Sequence, residues 1–174
     1  MDYLDDYFRR FDADVTKYQY PEPFETVDDA GEFLQGFIDE MEAEEMLFLS
    51  ILDEAGKFVG SAEVHGLKED VSELGIWINK DQRQKGYAYE ALSAAIAYAA
   101  DTYKKNRFFY EADIRNEGSQ KLLKKLAGEG STQEGPAGEG SDAKNLTCEP
   151  LNLDKFTTES GKYLELQGYM LTVH

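Results

Sequence analysis

The sequence of 174 residues contains only one cysteine, Cys148, and two histidines, His65 and His174. A single cysteine cannot form an internal disulfide, so nothing in the chain indicates an oxidising compartment. Two histidines are too few for a histidine-rich metal site, and we expect no metal ion. The cytoplasm is therefore the expected location of the protein.

The sequence also lacks a long apolar run and an excess of positive charge. Its longest run of small apolar residues, 91–100, is interrupted by Ser93 and is far shorter than the roughly 18 residues of a membrane span. The first residues include Asp2 and Asp5 rather than the basic start and apolar segment of a signal peptide. A net charge of −17 argues against nucleic acid, whose phosphates bind Lys and Arg. We expect neither a membrane nor a nucleic-acid partner.

The charge is unevenly distributed along a chain whose length fits a single domain, residues 1–174. Residues 80–126 carry ten basic and six acidic side chains, whereas residues 1–45 carry fifteen acidic and three basic ones. This pattern suggests an anionic ligand near the middle of the chain and a cationic substrate elsewhere. A lysine-rich solvated helix face is the alternative. Both a monomer and a homodimer are compatible with the sequence.

Apolar periodicity predicts two helices followed by three strands. Residues 3–11 and 26–41 carry apolar side chains at helical spacing, and Thr26 with Asp29 is typical of an N-cap. Strand-like alternation follows in the segments 47–53, 57–65 and 72–79. The first two strands are joined by a short loop of hairpin length, so the three form an antiparallel meander.

The second half of the chain predicts a helix at 87–103, a strand at 107–114 and a helix at 117–126. A strand, helix, strand order favours a parallel strand pair. Two further strand-like segments, 147–153 and 162–173, predict a hairpin. Residues 128–145 are rich in Gly, Glu and Ser without apolar periodicity, which indicates a flexible loop within the domain. The fold class is therefore α+β (mixed α/β), with a mostly antiparallel sheet and about four helices.

The stretch "DQRQKGYAYEAL", residues 81–92, joins a strand to a helix through Gly86. A helix start offers free backbone N–H groups and the positive end of the helix dipole, which together suit an anion. Arg83 and Lys85 add positive charge beside it. Many ordinary helices also begin at glycine, so the junction needs its context.

In that context the segment "RQKGYA", residues 83–88, matches the Arg/Gln-x-x-Gly-x-Gly/Ala signature of the GNAT superfamily of acyl-CoA-dependent N-acetyltransferases. "ELGIWINKDQRQKGYAYEAL" resembles the ribosomal-protein N-terminal acetyltransferase branch, and "IRNEGSQKLLKKL" resembles its Asn-x-x-Ser-x-x-x-Leu helix. The resemblance covers residues 47–126. It implies a sheet with one splayed parallel strand pair and acetyl-CoA as co-substrate. The family's first strand has no counterpart before Tyr3, so either the sheet is one strand short or the sequence is a truncated form.

The resemblance also implies which residues bind CoA. They are Ile76, Trp77, Ile78, Arg83, Gln84, Lys85, Gly86, Tyr87, Ala88, Asn116 and Ser119. N–H groups of the turn would bind the pyrophosphate, and glycine lets it approach closely. Hydrogen bonds to a charged group contribute about 1.5–3 kcal/mol each, more than the ~0.3–1 kcal/mol of the helix dipole. The alternative for Asn116 is a plain helix cap, and for Ser119 a first-turn polar residue.

The reaction implied is the transfer of an acetyl group from sulfur to an amine. The amine must lose its proton, and candidate bases on the flanking strands are Glu73, Glu63, His65, Glu111 and Asp113. Glu73 is the first choice, because it is nearest the strand that approaches the thioester in the family. Many family members have a tyrosine that protonates the leaving thiolate at the position of Leu123. Ser119, Tyr110 or Tyr163 can replace it, or the thiolate leaves without an acid.

The sequence thus predicts an N-acetyltransferase whose acceptor is a protein N-terminus or a small cationic amine, with Glu73 and Ser119 as catalytic residues. The alternative is a non-catalytic CoA-binding sensor or interaction module, which Leu123 and the absent first strand would fit.

Overall fold

The computed structural model of the protein describes residues 1–128 and 146–174. The helices are α1 (Leu4–Arg10), α2 (Val27–Glu42), α3 (Tyr87–Tyr103) and α4 (Glu117–Leu126), with 3₁₀ turns at Thr16–Tyr18 and Lys80–Gln82. The strands are β1 (Met46–Leu52), β2 (Phe58–His65), β3 (Ser72–Ile78), β4 (Arg107–Asp113), β5 (Leu146–Thr157) and β6 (Tyr163–Val173). The predicted α+β class is confirmed. Within residues 1–128 the first strand is β1, and two helices precede it.

The six strands form one sheet in the order β1-β2-β3-β4-β6-β5. All neighbours are antiparallel except β3 and β4, which run parallel. This parallel pairing is limited to two positions, Ser72 with Phe108 and Glu73 with Phe109. Beyond Glu73 the two strands separate, so the sheet is split at its centre. The predicted splayed pair is confirmed.

Two apolar clusters lie on opposite faces of the sheet. The back face carries α3 and α4, whose residues Leu92, Ile96 and Leu123 pack on strand residues such as Phe108. The front face carries α1 and α2 with a largely aromatic cluster that includes Trp77. Burying each such large side chain contributes about 1.5–3 kcal/mol, so both faces stabilise the sheet. The back cluster contains residues of both halves of the split sheet, Leu74 of β3 and Phe108 of β4, and so connects the two halves.

The start of α2 shows how local sequence sets an element boundary. The Asp29 N–H donates to Thr26 Oγ1 at 3.1 Å, and the Thr26 N–H donates back to the Asp29 carboxylate at 3.0 Å. This reciprocal capping box satisfies two backbone donors that a helix end leaves free. The predicted N-cap is confirmed, and such a cap is worth about 1 kcal/mol.

The C-terminal hairpin is longer than the sequence pattern predicts. β5 continues past residue 153 to Thr157, because Asp154, Lys155 and Phe156 pair with the start of β6. The register shifts between Pro150 and Leu153, at an edge strand, where a proline is tolerated. The flexible loop predicted at 128–145 lies, apart from residue 128, outside the described residues.

Candidate functional site

The split between β3 and β4 opens into a cavity of about 670 Å³. Side chains alternate between the two faces of a strand, so Leu74, Ile76 and Tyr110 belong to the back face, and Glu73 and Glu111 to the front. All five line the same cavity. The cavity therefore joins the two faces of the sheet through the split.

The turn after β3 has the geometry of an anion site. Gly86 precedes α3 with φ of +94°, a conformation that favours glycine, and a Cβ built there would meet no atom within 4 Å. The first hydrogen bond of the helix runs from the Glu90 N–H to the Gly86 carbonyl. Among the described residues, no hydrogen bond uses the N–H groups of Tyr87 and Ala88, at the positive end of the helix dipole.

The cations beside this turn are partly engaged by the protein itself. Arg83 Nε donates to the Ile78 carbonyl at 3.1 Å, and Arg83 Nη2 donates to the Asp14 carbonyl at 3.3 Å. Lys80 forms an ion pair with the Asp14 carboxylate, and this contact lowers the carboxyl pKa. Lys85 Nζ donates to Gln82 at 2.7 Å. The Arg83 side chain is thus held by two backbone carbonyls, whereas the backbone N–H groups at the start of α3 are available to a ligand.

The strand residues predicted to contact the cofactor lie along the open edge of β3. The Trp77 side chain is only 5% exposed and packs edge-on against Tyr7 and Phe11 in the front cluster. Ile76 packs on the back cluster and Ile78 is buried. Since the parallel pairing stops at Glu73, the β3 backbone beyond it has no strand partner on the β4 side. A ligand contact here would therefore involve the backbone, as an added strand does.

The start of α4 lies beside the back side of the cavity. Asn116 caps the helix, with its Oδ1 accepting from the Ser119 N–H at 3.3 Å. Both residues also line the cavity, so Asn116 both caps α4 and contacts the cavity. Burial raises the pKa of the Tyr110 phenol, and the neighbouring Ser119 side chain offsets part of this effect. Leu123, 2% exposed, is a packed core residue.

The front side of the cavity is acidic. Four carboxylates line it: Glu63, Glu73, Glu111 and Asp154. Burial raises the pKa of Glu111, and the negative charges of Glu73 and Asp154 raise it further. Within residues 1–128 and 146–174, no ion pair neutralises Glu73, Glu111 or Asp154. Such uncompensated charge near an opening attracts a cation.

Glu63 and His65 form a pair on the same side of the cavity. Glu63 accepts from Ser61 Oγ at 2.9 Å, and its second oxygen lies 3.5 Å from His65 Nε2. The hydrogen bond to Glu63 raises the pKa of His65, although burial opposes the shift. Glu63 also covers Gly75, where an added Cβ would lie 2.7 Å from Glu63 Oε2. Gly75 thus provides the space in which this carboxylate sits beside the split.

Asp113 was one candidate base, but the structure gives it a different environment. Its side chain is fully buried and does not line the cavity. Arg115 binds both its oxygens, at 2.7 and 2.6 Å, and the Glu165 N–H donates to it at 3.0 Å. Desolvation would raise the pKa of Asp113, but the Arg115 hydrogen bonds prevail and lower it. Asp113 therefore stabilises the end of β4, whereas Glu63, His65, Glu73 and Glu111 face the cavity.

Part of the segment between α1 and α2 covers the cavity. Residues 18–21 line it together with Phe33 and Phe37 of α2 and Phe156 of β5. Lys162 holds this segment, donating to the Thr16 and Gln19 carbonyls at 2.8 Å each. Since Lys162 is far away in sequence, no local signal could identify this contact.

The described residues contain no group of His, Cys, Asp and Glu side chains arranged to hold a metal ion. None of the described helices is long and apolar enough to cross a membrane.

The chain matches the model of the acetyltransferase (GNAT) domain over residues 2–129. A ribosomal L7/L12 alpha-N-protein acetyltransferase in complex with coenzyme A has a TM-score of 0.75 at 13% identity, over 99% of this chain and 89% of that chain. Spermidine N-acetyltransferase from Vibrio cholerae, in complex with CoA and spermine, has a TM-score of 0.72 at 15% identity, over 98% and 90%. A ribosomal-protein-alanine N-acetyltransferase from Brucella melitensis has a TM-score of 0.72 at 16% identity, over 99% and 95%.

No curated protein matches the sequence significantly. At such low identities the structural matches establish a shared fold and leave the acceptor open. The family model, in contrast, covers well over half of the sequence. The chain belongs to the GNAT family of acyl-CoA-dependent N-acetyltransferases.

Proposed function

We propose that the protein transfers an acetyl group from acetyl-CoA to a primary amine of a cationic acceptor. The observation that carries this proposal is the cavity through the split sheet. From the cavity β3 runs toward the Gly86 turn, and the front side of the cavity is lined with carboxylates. A donor and an acceptor can thus approach one another from opposite faces.

The donor side has the form of an acyl-CoA site. The pyrophosphate binds the N–H groups at the start of α3, and the pantetheine arm pairs with the open edge of β3. The acyl group then lies near Glu73 and Phe109, where the strands join and the split closes. The donor in this proposal is acetyl-CoA, the co-substrate that the resemblance in the sequence implies.

The acceptor side favours positive charge. A unit charge 4 Å from a carboxylate gains about 1 kcal/mol in bulk water and about 4 kcal/mol at an effective dielectric constant near 20. Several unpaired carboxylates therefore favour an acceptor with more than one ammonium group. Proteins of similar fold are named for spermidine and for ribosomal-protein N-termini. A small cationic amine suits the cavity, and a peptide N-terminus is the second acceptor to test.

One ammonium of the acceptor must become neutral before it attacks the thioester. At pH 7 this costs roughly 4.6 kcal/mol for an alkylamine with pKa near 10.4 and about 1 kcal/mol for an α-amine. We assign the base to Glu73, which lies at the closed end of the split next to the place of the acyl group. The other carboxylates retain the remaining positive charge of the acceptor.

Thiol release from acetyl-CoA tests this function with a panel of amines: spermidine, a basic peptide with a free N-terminus, its N-acetylated form, and glutamate. We expect turnover with the first two only, and a slower rate at high salt. CoA binding without thiol release across the panel would instead establish the alternative function, a non-catalytic CoA-binding module. Equal turnover with glutamate would contradict the cationic acceptor.

A further inference from the structure

A single lysine of the turn between β5 and β6 binds the segment that covers the cavity. We call residues 16–22, between α1 and α2, the strap. Lys162 Nζ donates to the Thr16 and Gln19 carbonyls at 2.8 Å each and pairs with the Glu22 carboxylate at 2.9 Å. An ammonium group has three N–H donors, and the strap accounts for all of them. Lys162 itself does not line the cavity.

The strap forms few hydrogen bonds of its own. Among the described residues, the backbone of residues 20–22 makes no hydrogen bond with another backbone group. The hairpin adds two contacts to those of the lysine. Ser160 Oγ donates to the Glu22 carboxylate at 2.8 Å, and the Phe156 ring meets the Tyr20 ring edge-on with centroids 6.3 Å apart. The end of the β5–β6 hairpin therefore holds the strap from outside.

The strap forms an aromatic wall of the cavity. Tyr18, Tyr20 and Pro21 line it, and they lie between the first and last strap residues that Lys162 contacts. Carboxylates line the same cavity, so a ligand there meets both negative charge and aromatic surface. Aromatic faces attract cations and cover apolar groups. This combination suits an amine whose ammonium groups are joined by methylene groups.

We propose that Lys162 is a positioning residue for the amine acceptor. By holding the strap, it keeps the Tyr18 and Tyr20 rings where the methylene chain of the acceptor packs against them. The inference rests on the proposed function, which places a cationic acceptor on this side of the cavity. Lys162 acts through the strap and touches neither acceptor nor CoA. Its loss should therefore weaken acceptor binding and leave the donor site intact.

Two diamines measure the contribution of this wall. Diaminohexane and diaminopropane carry the same ammonium groups, but diaminohexane has three more methylene groups. Calorimetry follows the binding of each to the CoA-loaded protein and requires no acetyl transfer. Each methylene group that is buried improves affinity about fourfold, so the wild type should bind diaminohexane about 4- to 60-fold more tightly than diaminopropane.

Lys162→Met removes the three contacts and keeps a side chain of similar length. The two diamines should then bind with equal affinity, whereas the affinity for CoA should not change. Lys105→Met is the matched control, because Lys105 is buried and, like Lys162, donates to a main-chain carbonyl of a distant segment, that of Glu69. Lys105 does not line the cavity, so this variant should keep the preference for diaminohexane.

Tyr20→Ala changes the wall directly. Tyr20 is 64% exposed, so we expect this variant to fold normally and to lose most of the preference for diaminohexane. In the double variant with Lys162→Met the two effects should not add, because both changes act on the same wall.

Steady-state kinetics complete the test. In Lys162→Met, KM for diaminohexane should rise by the factor lost in binding, with kcat and KM for acetyl-CoA unchanged. An unchanged preference in Lys162→Met, an equal loss in Lys105→Met, or equal binding of the two diamines to the wild type would overturn the role of Lys162. If Lys162→Met does not fold, an unchanged preference in Tyr20→Ala overturns it. A preference lost in Lys162→Met without acetyl transfer to either diamine would uphold Lys162 as a positioning residue and reject the proposed transfer function.

Discussion

Replacing Gly86 by valine tests the phosphate-binding turn more directly than any other single change. Gly86 has φ of +94°, and a Cβ there would point into open space, within 4 Å of no protein atom. The valine side chain would therefore occupy the approach to the free N–H groups of Tyr87 and Ala88. We expect the fold to persist and CoA binding to be lost.

The magnitude has two separate parts. A β-branched residue in this left-handed conformation costs about 1–3 kcal/mol of stability. Losing two hydrogen bonds to a charged phosphate costs about 1.5–3 kcal/mol each, or roughly 3–6 kcal/mol in total. At 1.4 kcal/mol per factor of ten, CoA affinity should fall by about 10²- to 10⁴-fold.

Gly56 provides the matched control. It has φ of +76° in the loop between β1 and β2, and a Cβ there also meets no atom within 4 Å. Gly56→Val should therefore cost a similar amount of stability with no loss of CoA affinity. Thermal melts and calorimetric titration with CoA measure both quantities. Equal CoA affinity in the wild type and Gly86→Val would refute the role of the turn.

Three further changes test the front side of the cavity. Glu111 has a raised pKa, so its carboxylate makes the stability of the protein fall as pH rises through that raised value. In Glu111→Gln, thermal melts against pH should therefore show a flatter profile and a more stable protein at neutral pH. KM for the cationic acceptor should rise several-fold. Glu73→Gln should lower kcat by about 100-fold with little change in CoA affinity, and a normal kcat in steady-state assays would move the base elsewhere. Gly75→Ala would place a Cβ 2.7 Å from Glu63 Oε2 and displace that carboxylate, so the His65 pKa followed by NMR should fall toward its ordinary value; an unchanged titration would show that the pair tolerates the methyl group.

Much of the fold follows from local sequence patterns. The period of α3, the alternation of β2 and β3 and the Thr26–Asp29 capping box are all local, and the structure confirms them. The Gly86 turn could be predicted for the same reason, since a glycine signature between a strand and a helix needs no distant residue.

The parts that escaped prediction depend on contacts between distant segments. The length of β5 follows from its pairing with β6, and the segment over the cavity is held by Lys162. The sequence alone could not separate the candidate bases Asp113 and Glu111, because both are on the same face of the same strand. Their contacts in the structure separate them. Arg115 and the Glu165 backbone bind Asp113, whereas Glu111 faces the cavity.

The most direct test of the central claim follows the acetyl group itself. The protein is incubated with isotopically labelled acetyl-CoA and spermidine or a basic peptide, and the acceptor is analysed by mass spectrometry. We predict a labelled acetyl group on an acceptor nitrogen, formed by the wild type and by Gly56→Val but not by Gly86→Val. CoA binding without label on any amine, or equal labelling by Gly86→Val, would contradict acetyl transfer through the split between β3 and β4.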